Sequence, residues 1–419
     1  MKVQRLNLLS FRGIRELDLN FIEPVMALVG INGVGKSAVL DALAIGLSQL
    51  TWRINGHPQR ARPIALDDIR HGDDFARIEV AVELRGETVT WATVTNRRKG
   101  SYSDPLRRSE LESLTEAVRQ LNAEWRHIEE DRQDPYDLPL AVYYDVNRAV
   151  LDIPMRVREQ LRHTSYEVYQ DALDHGGADF KRFFIWFRNR EDHENEQRRD
   201  DPNFRDRALD AVRAAVSTFT GFSDLRIRRS PLRMTVVKRR QEFNVAQLSD
   251  GERNMLALVG DMARRLSILN PGLRNPNEGS GVVLIDEIDL HLHPRWQREV
   301  MTKLTTTFPN CQFIISTHSP QVVGELKPES VALLRDGEFV GHPQASYGLT
   351  SGQVLEEVME VSSRTSAVKQ RLESIFASLE RGELSAAQRL IAELKADVPS
   401  VPELAGAEAL LKRKVVLGR

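Results

Sequence analysis

The chain has 419 residues, 41% of them hydrophobic and 28% charged, a profile that fits one enlarged α/β core with an insertion or two to three domain-sized units. A net charge of −2 excludes a global electrostatic pull toward nucleic acid, so any such binding must come from a local patch. The lone Cys311 excludes a disulfide framework and a Cys-x-x-Cys zinc motif, no apolar run reaches the length of a membrane span, and the opening residues lack signal-peptide architecture, which together predict a cytoplasmic protein.

In chain order, "KVQRLNLLSF", "LDLNF" and "VMALVG" read as three strands, the third running into a glycine-rich turn and the helix "KSAVLDALAIGLSQL". "ARIEVAVELRG" and "ETVTWATVTN" alternate like a hairpin around Arg85-Gly86. The pattern turns helical from Asp104 to Arg132, "LPLAVYYDV" reads as a buried strand, and residues 151–220 read as mostly helical with a charged middle, "RNREDHENEQRRDD". "LRIRRS" and "LRMTVVKRR" read as strands ahead of "QLSDGER", a helix start in which Ser249 and Glu252 have capping-box spacing. "GVVLIDE" and "CQFIIST" are almost wholly apolar, as in strands of a parallel sheet covered on both faces. "VALLRDG" and "EFVG" form a further strand pair, and the tail from Tyr347 reads as amphipathic helices. One carries Val368, Leu372, Ile375, Phe376 and Leu379 at helical spacing before a stop at Gly382, and a capping box at Ser385 and Gln388 opens the next. The expected organisation is an α/β core in two lobes, 1–103 and 223–346, interrupted by a mostly helical insertion, 104–222, and followed by a helical tail, 347–419.

"GINGVGKS", Gly30 to Ser37, fits G-x-x-x-x-G-K-[ST], follows an apolar strand and opens a helix. Gly30, Asn32, Gly33 and Gly35 belong to a loop whose backbone amides cradle phosphate, Lys36 reaches the β/γ oxygens, and Ser37 offers its hydroxyl to Mg²⁺. In "VVLIDEIDLHLHP", Asp286 ends a buried strand where it can hold Mg²⁺, and Glu287 is placed as the general base for an attacking water. His318 in "FIISTHSP" follows another buried strand, on the edge where open α/β sheets bind ligands. The helix end at Ser249, with the amide of Gly251, is a second anion-attracting terminus, and Glu252 belongs to the same signature as the capping-box partner of Ser249.

That order of motifs resembles the ABC-type ATPases of the SMC/RecF/OLD group. "GINGVGKS" looks like their Walker A, "LSDGER" their signature, "LIDE" their Walker B, "IDLHLHP" with Asp289 their D-loop, and "STHS" their switch histidine, while "LLSFRGI" is similar to their N-terminal strand motif and puts Arg12 near the nucleotide. The resemblance implies an α/β fold of the ABC-type (SMC/RecF-like) P-loop ATPase head, with a largely helical insertion and a helical C-terminal tail. It implies ATP and Mg²⁺ as cofactors, and a head-to-tail homodimer, or multiples of it, in which Ser249 and Gly251 of one copy hold the γ-phosphate on the other. The family's glutamine loop has no evident match; "LDDIRHGDD" stands roughly in its place with Asp67 and Asp68.

"FKRFFIWFRNREDHENE" and "SYGLTSGQVLEEVMEVSSR" resemble segments of PtuA, the ATPase subunit of Septu and related retron anti-phage systems. That likeness implies an ATPase that governs a separate HNH nuclease (PtuB-like), in retrons also with a reverse transcriptase and its RNA–DNA product. Read from the residues alone, the aromatics at 180, 183, 184, 186 and 187 form either a docking surface or a packed face. Asp192, His193 and Glu196 either hold a metal or are solvated. Arg226, Arg228, Arg229, Arg233, Lys238, Arg239 and Arg240 read equally as a nucleic-acid-phosphate face and as a solvated face paired with acids of the insertion. The leading expectation is an ATP-hydrolysing subunit of a defence complex that regulates a nuclease. Its rivals are a RecF-like DNA-repair ATPase without a nuclease partner and an autonomous metal-dependent nuclease built on the Asp192–Glu196 acids.

Overall fold

The computed structural model describes residues 1–55, 61–98, 100, 102–131, 137–146, 168–169, 171–174, 180–362 and 364–417, so the helix expected over 151–167 lies outside the described residues. Two compact units make up the chain, Met1–Gly348 and Leu349–Arg419. In chain order the first unit contains β1 (Lys2–Phe11), β2 (Ile14–Asn20), β3 (Val25–Val29), α1 (Lys36–Asn55), β4 (Phe75–Leu84), β5 (Glu87–Asn96), α2 (Glu112–Asp131) and β6 (Leu140–Tyr144). It continues with α3 (Phe180–Gln197), α4 (Arg207–Thr220), β7 (Ser223–Arg229), β8 (Leu232–Lys238), β9 (Gln241–Asn244), α5 (Asp250–Leu269), β10 (Gly281–Ile285), α6 (Pro294–Thr307), β11 (Cys311–Ser316), β12 (Val331–Arg335) and β13 (Glu338–Gly341).

The central sheet has the order β13-β12-β3-β11-β10-β6, parallel except for the antiparallel edge strand β13. Its inner strands have no polar alternation because both faces are covered, and every residue of β3, β10 and β11 is buried. Each Val, Leu or Ile so buried contributes about 1.5–3 kcal/mol of transfer free energy. The registers align the carboxyl ends. Ile285 pairs with Ile315 on one side and Tyr144 on the other, and Ile315 pairs with Ala27. The loops leaving β3, β10 and β11 therefore meet along one crevice, the usual ligand edge of an open α/β sheet.

A second, antiparallel sheet, β2-β1-β4-β5, covers α1, whose residues from Val39 to Thr51 are all buried. Gln312 links the two sheets by imitating a strand partner: its Oε1 accepts from the Val3 amide at 2.8 Å and its Nε2 donates to the Val3 carbonyl at 3.0 Å. The expected hairpin at Arg85-Gly86 is present, with both residues at positive φ. Strand β6, which falls inside the stretch expected as a helical insertion, forms the edge of the central sheet.

The helix of the PtuA-like segment, α3, decides between the two readings of its aromatics. Phe180, Phe183, Phe184, Ile185, Trp186 and Phe187 are all buried, so they form core, not a docking surface. Phe183 lies where a side chain on Gly260 of α5 would sit, since a Cβ there would be 2.8 Å from the ring. The same helix buries two carboxylates and neutralises them. Arg213 bonds Glu194 at 2.9 Å and Glu191 at 3.4 Å, and Arg229 bonds Glu191 at 3.0 Å. On α5, Asp261 is fully buried and accepts from Arg264 at 2.7 Å, Arg265 at 2.7 Å and the Tyr144 hydroxyl at 2.9 Å.

The second unit contains α7 (Ser366–Glu380), α8 (Leu384–Asp397) and α9 (Pro402–Leu417). Leu372, Ile375 and Leu379 pack with Ile391, Leu394 and Leu404, and Val368 and Phe376 lie partly buried beside them, as their helical spacing leads one to expect. Gly382 makes the turn at φ 76°. The expected capping box at Ser385 and Gln388 is corrected: α8 starts two residues earlier than that box implies, after Glu383, which supplies no side-chain cap, and Ser385 lies inside the first turn.

Candidate functional site

A cavity of about 460 Å³ opens at the carboxyl ends of β3, β10 and β11. The loop after β3 forms its floor. Gly33 and Gly35 take φ values of 82° and 103°, a region that side chains resist, and this turns the amides before α1 inward. Lys36 is 6% exposed, and its Nζ donates to the Gly30 and Ile31 carbonyls at 2.9 and 3.0 Å. Burial lowers its pKa, against the pull of Asp286, Glu287 and Asp289. Asn32 and Ser37 line the same wall.

Asp286 and Glu287 reach the cavity from the end of β10, and His318 reaches it from beyond β11. One residue of β11 binds both acids: the Ser316 hydroxyl donates to the Asp286 carboxylate and accepts from the Glu287 amide at 2.8 Å. Glu287 holds φ 47°, costly for a side chain that is not glycine, and the next amide, of Ile288, donates to the Ser316 carbonyl at 3.1 Å. Asp289 turns back to the His318 segment, accepting from the Thr317 hydroxyl at 2.5 Å and the His318 amide at 3.3 Å. The His318 ring is lowered in pKa by burial and by Lys36, opposed by Asp289, Glu287 and Asp286.

Arg12 also lines the cavity, and its guanidinium is braced by Asp41 at 2.5 Å and Asp68 at 2.8 Å. Burial disfavours its charge, but Asp68 and Asp41 outweigh that and hold the pKa above its ordinary value. Asp68 thus serves Arg12, and neither it nor Asp67 is among the residues that line the cavity.

The signature residues form a helix end, as expected. Ser249 caps α5: its Oγ accepts from the Glu252 amide at 3.4 Å, and the Glu252 carboxylate accepts from the Ser249 amide at 3.2 Å. Lys238 bonds Glu252 at 2.5 Å. Gly251 is glycine because a Cβ would lie 2.5 Å from the His291 carbonyl, which packs this helix end against the loop that carries Asp289. Ser249, Gly251 and Glu252 do not line the cavity of their own chain.

Two alternatives fare worse. Asp192 bonds Arg229 at 2.5 Å and His193 packs edge-on to Phe204; among the described residues no group of three His, Cys, Asp or Glu could hold a metal ion, so the Asp192–Glu196 metal centre is not formed. Most of the basic stretch is committed to carboxylates. Arg226 and Arg228 share a face, as period two dictates, but both bind Glu242, at 3.0 and 2.6 Å, and the Arg228 hydrogen bond, with Arg226, holds that acid down at about 2. Arg229 is paired with Glu191 and Asp192, and Lys238 with Glu252; of the remaining three, Arg233 is half-buried on β8 and Arg239 and Arg240 are exposed in the β8–β9 turn.

Three participants, Ser316, Thr317 and Asp336, escaped sequence reasoning. Ser316 and Thr317 sit inside a quoted motif, yet their roles depend on the β10–β11 register. Asp145, 6% exposed, follows β6 but is not among the residues that line the cavity, while the Asp286 amide donates to the Tyr144 carbonyl at 2.9 Å. Asp336 lines the cavity from the β12–β13 turn. No helix among the described residues is long and apolar enough to cross a membrane.

Residues 25–324 match the family model described as "AAA domain, putative AbiEii toxin, Type IV TA system". The "Retron Ec83 probable ATPase" of Escherichia coli is 31% identical over 433 residues, covering 87% of this chain and 77% of that protein. The "Retron Vc95 probable ATPase" of Vibrio cholerae serotype O1 biovar El Tor is 28% identical, covering 81% of this chain and 74% of that protein. The "Septu protein PtuA" of Bacillus mycoides (strain KBAB4) is 24% identical over 80% of this chain and 41% of its own length.

Proposed function

Because the chain belongs to this AAA-domain family and is an ATPase related to the retron ATPases, we propose that it serves an anti-phage defence complex. In this reading it dimerises head to tail around two composite ATP sites, and its nucleotide state governs a partner HNH nuclease. The observation that carries the dimer is the split of the anion-binding parts: the phosphate loop, Asp286, Glu287 and His318 share one cavity, while the capped start of α5 lies outside it. A helix end that offers amides to an anion, yet misses the cavity of its own chain, suits the phosphate held by a second copy.

Within each site the loop amides and Lys36 bind the phosphates, and Glu287, fixed by Ser316, orients the water and takes its proton. His318 has a lowered pKa, so its ring is neutral near pH 7 and offers one N–H to the terminal phosphate. The Ser37 hydroxyl and Asp286 carboxylate, hard oxygen donors lining one cavity, suit Mg²⁺, which when bound would neutralise phosphate charge. A RecF-like duplex-binding role is less favoured, since the arginines it would use are largely paired with carboxylates.

Two variants test the composite site. Lys36→Ala disables the phosphate loop and Ser249→Arg the signature, so each alone is expected to lose ATP turnover. Mixed, they form heterodimers with one intact site, and turnover should return. Absence of recovery in a mixture that does dimerise would refute the trans arrangement.

A further inference from the structure

We propose that Asp336, in the turn between β12 and β13, reads the ribose hydroxyls of the bound nucleotide; this rests on the ATP-site reading. The sheet order sets the direction of the ligand. β3, which carries the phosphate loop, has β11 and β10 on one side and β12 on the other. Asp286, Glu287 and His318 therefore flank the loop on one side, where bond cleavage belongs. A nucleotide whose terminal phosphate points there carries its nucleoside toward β12.

That side of the cavity is closely built. Leu333 pairs with Val29, and the Leu334 carbonyl occupies the space that a Cβ on Gly30 would need, so β12 runs directly beside the first residue of the phosphate loop. Asp336 and Gly337, at φ 50° and 81°, form the two-residue turn that ends this strand. A Cβ on Gly337 would lie 3.2 Å from the Gly13 carbonyl, which locks this turn to the β1–β2 turn that carries Arg12.

Among the described residues the acids lining the cavity are Asp286 and Glu287 on the β10 side and Asp336 on the β12 side. A carboxylate next to phosphate, with no cation between, is repelled, so Asp336 suits the uncharged part of the ligand. The vicinal hydroxyls of ribose present two donors, and an acceptor-only carboxylate can take both on its two oxygens.

The test is equilibrium binding of ATP and of 2′,3′-dideoxy-ATP to the full chain, wild type and Asp336→Gly. Glycine is chosen because it accepts the backbone angle. Wild type should prefer ATP, and the variant should bind ATP about tenfold more weakly while its affinity for the dideoxy nucleotide stays put, as expected for loss of a charge-assisted hydrogen bond. Asp336→Asn, also suited to positive φ, should show the same narrowing at smaller size. A preference that survives in Asp336→Gly, or an equal loss for both nucleotides, overturns the sugar contact alone. Failure of the folded wild type to bind ATP overturns the site reading and this inference with it.

Discussion

Glu287 illustrates how one residue is held ready for chemistry. Its backbone sits at φ 47°, a strain of about 1–3 kcal/mol, sustained by bonds from its own amide and the next one to Ser316. Replacing the acid by glutamine keeps shape and hydrogen bonding but removes the base. Glu287→Gln is therefore expected to bind ATP normally and hydrolyse it about 10²- to 10⁴-fold more slowly. Ser316→Ala leaves both acids in place yet frees them, and should lower kcat by about ten- to a hundredfold with little change in ATP affinity. Single-turnover rates beside binding isotherms separate the two effects; a normal rate in Glu287→Gln removes that residue as base. Glu287 was legible because strand-end acids beside a complete phosphate loop are a local pattern. Ser316 was not, since its contacts depend on which strand lies beside β10.

At the scale of elements, α5 joins the Ser249 end to the strand next to the one that ends at Asp286 and Glu287. Its Asp261 binds Tyr144 of β6, and the Tyr144 carbonyl accepts the Asp286 amide. With the carboxylate gone, Arg264 and Arg265 stay buried without their counter-ion, so Asp261→Ala should cost about 3–5 kcal/mol in urea unfolding. Burial raises the pKa of this acid, but Arg265 and Arg264 outweigh it and hold it below the ordinary value. With the native pKa depressed, its stabilisation is complete above the unfolded-state pKa and is lost as pH falls through the lower native one. The variant should therefore show a flatter acid limb of stability, and an unchanged limb would deny that Asp261 is held as an anion. None of this network shows in the sequence, where Asp261, Arg264 and Arg265 look like one polar helix face. The β7–β9 sheet was half legible for a related reason. Strands β7 and β8 alternate clearly, whereas the four residues of β9 carry too little pattern to announce Glu242 as the partner of Arg226 and Arg228.

For the whole molecule, the proposed split site has the consequence that nucleotide binding and assembly would form one equilibrium. In that proposal the terminal phosphate is the group that both Lys36 of one copy and the Ser249 helix end of the other would address, through charge-assisted contacts. Losing that phosphate would remove the bridge from both sites of the proposed two-fold dimer at once, doubling the energetic effect. Glu287→Gln should consequently sediment as a dimer with ATP and Mg²⁺ and as a monomer with ADP, while Lys36→Ala should stay monomeric with either. A Glu287→Gln mass that is the same with ATP, ADP or no nucleotide would mean that the α5 terminus does not bind the γ-phosphate in trans. Its amides would then be satisfied by the Ser249–Glu252 capping box alone, which already closes within the chain. The two outcomes assign different work to the same helix end, and sedimentation velocity at one protein concentration distinguishes them.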